Sequence, residues 1–448
     1  MENPPVVKGA HDLGLGPPAE AQAAVPEGEE DKQGFWHKLG PGLITGAADD
    51  DPSGIATYTQ AGAKFGYGLG WTLLVTYPLM VGIQLASARI GRTTGRGLTS
   101  AFATLWPRPV VAMAVVLLLV ANIVNLAADL GAMAEVTRLA IGGDEALYAL
   151  AFGVVSLGLQ AWLPYRRYVR ILKWLTLSLL AYVGVAMVAH VDWKAALSGA
   201  VLPHVTWNAE TVKMVVAILG TTISPYLFFW QAAQEVEEIE RVDKDKPLRK
   251  APRQASAQLR RLRFDTWLGM GFSNAIAFFM IVAAAATLHA NGQLDVESTA
   301  QAAEALRPVA GDAAFVLFAL GILGTGLLAL PVLAGSAAYA CAELLKVRRG
   351  LEKPVGAAPA FYAILAAAMV CAMGISLIGI DPMKALVWAA VINSLMSVPI
   401  MVGVMLAAGS RRLMGDLRLP LAWRVLGWAA TAAMAVASVA FIVTSVAS

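Results

Sequence analysis

The sequence predicts an all-α membrane protein with eleven spanning helices, and three observations carry that expectation. First, 58% of the 448 residues are apolar and only 15% are charged, whereas soluble chains run about 45–50% apolar and about 25% charged. Second, uncharged runs recur at 65–88, 109–128, 146–165, 174–191, 214–234, 266–294, 313–342, 354–380, 385–410 and 425–448. Each approaches the ~20 residues a helix needs to cross ~30 Å of hydrocarbon, and none shows the alternation of a porin strand. Third, 28 of the 34 Lys and Arg fall in alternate connections: 1–40, 89–108, 166–173, 241–263, 346–353 and 411–424. Basic residues concentrate in cytoplasmic connections. The chain is therefore expected in the inner (plasma) membrane, multi-pass, with its N-terminus cytoplasmic and its C-terminus outside. A different helix count would scramble that asymmetry.

From the beginning of the chain, residues 1–38 are rich in Pro, Ala, Gly and Glu and lack apolar periodicity. They read as a disordered cytoplasmic tail, without the apolar core of a signal peptide. The first span, 41–63, is apolar apart from Asp49, Asp50 and Asp51, and its centre reads Asp51-Pro52-Ser53-Gly54. Proline removes a backbone donor and clashes with the preceding turn, so the helix is expected to break there. The sixth span carries a matching break at Ser224-Pro225-Tyr226. Spans one and six cross in opposite directions, and paired breaks in two inverted halves point to a transporter's midplane site. Non-helical backbone survives in a bilayer only where it is buried or lines a wet cavity. Two ordinary proline kinks are the plainer alternative; three adjacent carboxylates and the symmetric placement weigh against it.

An ionised carboxylate near mid-membrane costs roughly 2.5–3.5 kcal/mol or more without a partner. Successive helical residues point about 100° apart, so three adjacent aspartates cannot all face one ligand. Asp51, at the break, is expected to touch a cation, with Asp49 and Asp50 lining the inner vestibule. Gln231, further along the sixth span, is expected either to face the cavity or to bond a neighbouring helix. Asn393 and Ser397 in the tenth span read as near the site or as interhelical glue. Asn274 reads as structural, and Asp265, beside Arg263, as an ion pair or gate element. Arg260, Arg261 and Arg263 end a basic loop and are expected to meet anionic lipid headgroups, not nucleic acid. Cys341 and Cys371 lie in apolar runs at no metal or disulfide spacing, and read as small buried hydrophobes.

The segments GPGLITGAADDDPSGIATYTQAGAKFGYGLGW (40–71) and ARIGRTTGRGL (88–98) resemble the first span and following loop of the NRAMP family of divalent-metal transporters. The third span, the sixth-span break and RFDTWLGMGFSNA (263–275) are similar more weakly. The resemblance implies a LeuT-like pair of inverted five-helix repeats, 39–200 and 201–410, followed by an eleventh helix in 411–448. It also implies alternating access to a central metal site; a monomer is expected. Departures from the pattern are informative. The family's Asp-Pro-Gly-Asn is here Asp51-Pro52-Ser53-Gly54, and its Met-Pro-His is Ser224-Pro225-Tyr226. In VANIVNLAADLGAMAE (120–135) Asp129 is kept, while Asn122 and Ala132 stand where family carboxylates are expected.

Each departure has a chemical consequence. A thioether favours transition metals over hard ions, and its loss leaves an oxygen set. That set comprises the Asp51 carboxylate, the carbonyls of Ala48 and Thr222 and the Ser224 hydroxyl, with Gly54 and Tyr226 completing the two breaks. Mg²⁺ keeps several waters and needs only one or two carboxylates, so such a site suits it. The departures resemble the NRAMP-related magnesium transporters. The expected cargo is partly hydrated Mg²⁺, with Mn²⁺ also carried and no resident cofactor. None of His11, His37, His190, His204 and His289 falls mid-membrane, so weak or no proton coupling is expected, although Asp129 leaves a proton relay open. The alternatives are a proton-coupled Mn²⁺/Fe²⁺ importer of the NRAMP type and an organic-solute carrier of LeuT fold. The acidic cluster disfavours substrate carboxylates. A sensor lacks an output domain of any size, and no nucleophile–base set suggests an enzyme.

Overall fold

Capping chemistry sets where the helices start and stop around the two breaks. The computed structural model describes residues 42, 45, 46, 48–163, 176–203, 205–242 and 244–447. The expected tail, the connection 166–173 and the residues His11, His37 and His204 lie outside them. Gly42, Thr45 and Gly46 are helical, and this inner stretch ends in tight turns at Ala48 and Asp49. Helix α1 (Pro52–Phe65) then begins with Asp51 as N-cap and Pro52 in its first turn, where a missing N–H is harmless. Helix α2 (Gly70–Thr94) follows after a short turn and ends at Gly95, whose left-handed φ of 66° permits an N–H bond back to Gly91.

Helices α3 (Arg108–Ile141), α4 (Glu145–Trp162) and α5 (Leu180–Val188) complete the first half. In the second half, α6 (Ala209–Thr222) and α7 (Pro225–Arg241) are separated by Ile223 and Ser224. They are followed by α8 (Ala255–Thr287), α9 (Ala314–Leu345), α10 (Pro359–Ser376), α11 (Pro382–Gly409) and α12 (Leu421–Ala447). Nine segments among the described residues are long and apolar enough to cross a membrane. One of these, Pro52–Thr94, contains both α1 and α2, and the fifth expected span overlaps the undescribed 164–175.

Proline alone does not explain the breaks. Pro78, Pro331 and Pro399 lie inside α2, α9 and α11, which continue past them. At Pro52 and Pro225 the preceding residue instead has extended backbone, with ψ of 171° at Asp51 and 134° at Ser224. Proline disfavours helical geometry in its predecessor, and here Asp51 accepts the Gly54 N–H, which fixes the cap.

Close backbone contacts hold the neighbouring helices together around these breaks. α1 packs on α8 and α6 on α11. A Cβ at Gly46 would collide with the Gly269 backbone of α8, and one at Gly220 with the Ala390 carbonyl of α11. Only glycine permits either approach. Away from this interior, large apolar side chains face outward, including Met113, Val116, Val154, Val436 and Val443. A water-facing surface of that kind would be unstable, whereas hydrocarbon accommodates it. Cys371 belongs to that exposed set, which corrects the expectation of a buried thiol; facing lipid satisfies an apolar side chain as well as burial does.

Candidate functional site

In a continuous helix the N–H of residue 52 would bond the Ala48 carbonyl, and that of residue 225 the Thr221 carbonyl. Both positions are proline, so both carbonyls lose their helical donor. Side chains stand in. The Ser224 hydroxyl lies 2.9 Å from the Thr221 oxygen and 2.7 Å from that of Gly220. The Tyr226 hydroxyl lies 3.3 Å from the Ala48 oxygen. One break is thus closed by a residue of its own helix, and the other by a residue of the opposite break.

Asp51 is the centre of this arrangement. Its Oδ1 accepts from the Ser53 hydroxyl (2.7 Å) and the Gly54 N–H (2.9 Å). Its Oδ2 accepts from the Asn125 amide of α3 (3.0 Å) and faces the Tyr226 hydroxyl at 3.2 Å. The carboxylate is 1% exposed, and no ion pair to a basic side chain is formed among the described residues. Tyr226 has a single phenolic proton and two acceptors, Ala48 oxygen and Asp51 Oδ2. It can satisfy only one at a time. A cation placed between them would satisfy both, and the phenolic oxygen as well. The hydrogen-bond donors to Asp51 among the described residues are nitrogen and oxygen groups. The thioether of Met133, one turn beyond Asp129, packs against Gly326 of α9.

Several expected residues take other roles. Gly54 cannot hold a cation through its N–H, which donates to Asp51; it orients that carboxylate and leaves space, since a Cβ there would come within 3.3 Å of the Thr221 hydroxyl. Ser224 spends its proton on backbone carbonyls, as a local cap. The Thr222 hydroxyl donates to Ile218 within its own helix at 2.8 Å, while the Thr221 carbonyl, which Pro225 deprives of a helical donor, is served by Ser224. Asn122 turns away, donating to the Leu333 carbonyl and the Ser336 hydroxyl of α9. Gln231 bonds Gln84 of α2 (2.9 Å) and Thr266 of α8 (3.3 Å). Of its two expected roles, it takes the interhelical one. Asn274 is structural, donating to the Leu73 carbonyl, and Ser397 bonds back to Ser394. Asn393 is fully buried, and neither amide atom has a partner among the described residues. Asp265 caps the inner end of the first span by accepting the Gly42 N–H at 2.6 Å.

The other acidic residues form two groups. Asp49 and Asp50 share one hydroxyl, Ser273 of α8, at 2.6 and 3.0 Å, and each keeps a buried oxygen without a partner. Both are buried against α8 on the N-terminal side of the break. Asp129, one turn beyond Asn125 on α3, is fully buried with both oxygens unpartnered. Asn125 and Ser273 escaped the sequence reading. The available signal was spacing: Asn125 precedes Asp129 by four residues, and Ser273 follows Gly269 by four, so each pair shares a helix face. Among the described residues no three His, Cys, Asp or Glu side chains form a closed metal cage.

Known proteins place this geometry in a family. The family of natural resistance-associated macrophage protein-like (Nramp) chains matches residues 42–444. The divalent metal cation transporter MntH of Klebsiella pneumoniae (strain 342) is 29% identical over 401 residues, covering 87% of this chain and 90% of that protein. The MntH of Deinococcus radiodurans is also 29% identical over 401 residues, covering 87% and 86%. Among solved structures, the Eremococcus coleocola manganese transporter in complex with an aromatic bis-isothiourea substituted compound superposes with a TM-score of 0.70 at 17% identity, covering 94% of this chain and 89% of that one. Mhp1, a nucleobase-cation-symport-1 family transporter in a closed conformation, gives 0.57 at 15% identity, covering 91% and 89%. At these identities the two structures establish the LeuT-like fold. With the family match spanning nearly all of the described residues, this integral membrane chain belongs to the natural resistance-associated macrophage protein-like family.

Proposed function

We propose that this protein carries a divalent metal cation across the membrane by alternating access, importing partly hydrated Mg²⁺ by preference and Mn²⁺ as well, with weak or no proton coupling. The observation that carries this reading is the Asp51–Tyr226–Ala48 cluster. One buried carboxylate, one orphaned carbonyl and one phenol with too few protons converge where both helices are broken. A single hard carboxylate suits an ion that sheds its hydration reluctantly and binds through one or two carboxylates. With Ser224 and Tyr226 at the second break, no sulfur or imidazole there favours a softer metal. The orientation that fits the charge placement has the N-terminus inside and the C-terminus outside, in the plasma membrane. Divalent metal transport is also what the names of the MntH relatives state for those proteins.

Titration calorimetry with Mg²⁺, Mn²⁺ and Ca²⁺ on the purified protein and on Asp51→Ala tests the site. Binding of Mg²⁺ that vanishes in the variant is the expected result; unchanged affinity removes Asp51 from the site. A second reading, proton-coupled import of Mn²⁺ or Fe²⁺, is favoured by Asp129, whose carboxyl group has no partner and is within electrostatic reach of Asp51 and Tyr226. Reconstituted vesicles loaded with a pH dye separate the two. Metal entry without internal acidification is expected, and acidification in step with uptake, lost in Asp129→Asn, would establish the second reading.

A further inference from the structure

A cavity of about 300 Å³ opens at the end of the bundle where α2 finishes and α8 and α12 begin. Three arginines line it: Arg89 from α2, and Arg260 and Arg263 from the first turns of α8. Arg89 anchors its Nε on the Leu417 carbonyl at 2.8 Å, which leaves its terminal nitrogens available. No ion pair engages Arg260 or Arg263 among the described residues, and both are exposed. Their neighbour Arg261 behaves differently, pairing with the buried Glu235 at 3.0 Å. Of the three arginines read from the sequence as one basic edge, the fold withdraws one and replaces it with Arg89 from another helix.

Apart from Ser256, the rest of the lining is apolar, including Leu85, Leu259 and Trp423. Trp423 stacks edge-on against Trp267 of α8, with ring centroids 6.0 Å apart. Beside Trp267 on α8, Phe264 and Leu268, one turn apart, are exposed large side chains. The cavity therefore has a cationic mouth, an aromatic shelf and an apolar track along α8. Inorganic phosphate would need only the first of these.

We infer that this cavity is a binding site for the phosphodiester headgroup of an anionic phospholipid, with its acyl chains laid along α8. Guanidinium groups recognise phosphate oxygens in a bidentate fork. Basic residues at a membrane rim gain about 1 kcal/mol each from anionic lipid. Two helices beginning at the rim add the positive ends of their dipoles. The site is remote from Asp51 and does not depend on the identity of the transported ion.

Thermal unfolding in neutral detergent, with dioleoyl-phosphatidylglycerol, dioleoyl-phosphatidylcholine or sodium phosphate added at equal concentration, tests the assignment. The expected result is a rise in Tm of several degrees with phosphatidylglycerol alone. Arg260→Gln/Arg263→Gln should weaken that response about thirtyfold in apparent affinity, the effect of removing two basic groups from an anionic headgroup. An equal rise with phosphatidylcholine overturns the proposal, as does a double variant that folds and keeps the full response. An equal rise with phosphate reassigns the cavity to a free anion and overturns the lipid. The lipid comparison on the unaltered chain decides the matter even if the variant does not fold.

Discussion

Asn125 shows how much rests on one amide. Its Nδ2 is the only group from α3 that bonds Asp51, at 3.0 Å, and it fixes the Oδ2 lone pairs that face Tyr226. Asn125→Ala leaves a buried carboxylate short of a donor, a loss of about 1–3 kcal/mol. Calorimetry should show Mg²⁺ affinity falling about tenfold or more; an unchanged value would mean that Ser53, Gly54 and Tyr226 orient Asp51 without Asn125. The sequence made Asp51 legible because a carboxylate beside a proline in hydrocarbon has few structural reasons to exist. Asn125 was harder to find, since Asn122, Asn125 and Asp129 fall within about 60° on a helical wheel. They are separated along the axis by about 10 Å, and the level of the break picks out Asn125 while sending Asn122 to α9. The soft-ligand reading is tested at the same scale. Ser224→Met with Gly54→Asn should raise Mn²⁺ affinity relative to Mg²⁺, read as a ratio of dissociation constants. Loss of the Ser224 cap should also lower Tm, because the Gly220 and Thr221 carbonyls lose their donor.

The broken helices are the elements on which function rests, and their integrity depends on more than proline. Pro331 sits inside the continuous α9 while Pro225 separates α6 from α7. The difference lies in the residue before: Ser224 is extended and turns its hydroxyl back on the helix it ends. Pro225→Ala restores an N–H for the Thr221 carbonyl. A backbone hydrogen bond of about 1 kcal/mol then competes with the Ser224 cap, shifting the break toward continuous helix about fivefold. Metal uptake into vesicles should fall by a comparable factor, whereas Pro331→Ala should leave it unchanged. Equal effects of the two substitutions would show that general helix flexibility, and not the break, limits transport. Sequence alone located both breaks, because proline beside serine, glycine and aspartate is a local signal. The proline register also fixes which carbonyl loses its donor, but that Tyr226 serves the Ala48 carbonyl depends on a contact between residues 178 positions apart, and local patterns do not encode that.

Across the whole molecule, the inner half of the first span lies along α8 in register. Gly42 meets Asp265, Gly46 meets Gly269, and Asp49 and Asp50 meet Ser273, each step one helical turn further on. At the opposite end, Lys64 of α1 pairs with Glu210 at 3.0 Å and Asp295 at 3.1 Å, all three being partly or largely exposed. Exposed pairs of this kind contribute roughly 0–1 kcal/mol. The inner seam is backbone packed on backbone, with buried carboxylates held by one hydroxyl, and beyond the break α1 packs as closely on α8, at Gly62 against the Ile281 carbonyl. Gly46→Leu places a side chain where the Gly269 backbone already sits, so the seam must part while α1 beyond the break stays in place. A Ser273→Cys reporter, with Cys341 and Cys371 replaced by alanine, reads that opening. A membrane-impermeant thiol reagent applied from the arginine-rich side should label the reporter several times faster in the Gly46→Leu background than with Gly46 retained. Equal rates would mean that Ser273 is reached by another route, and that the glycine seam does not close the inner path.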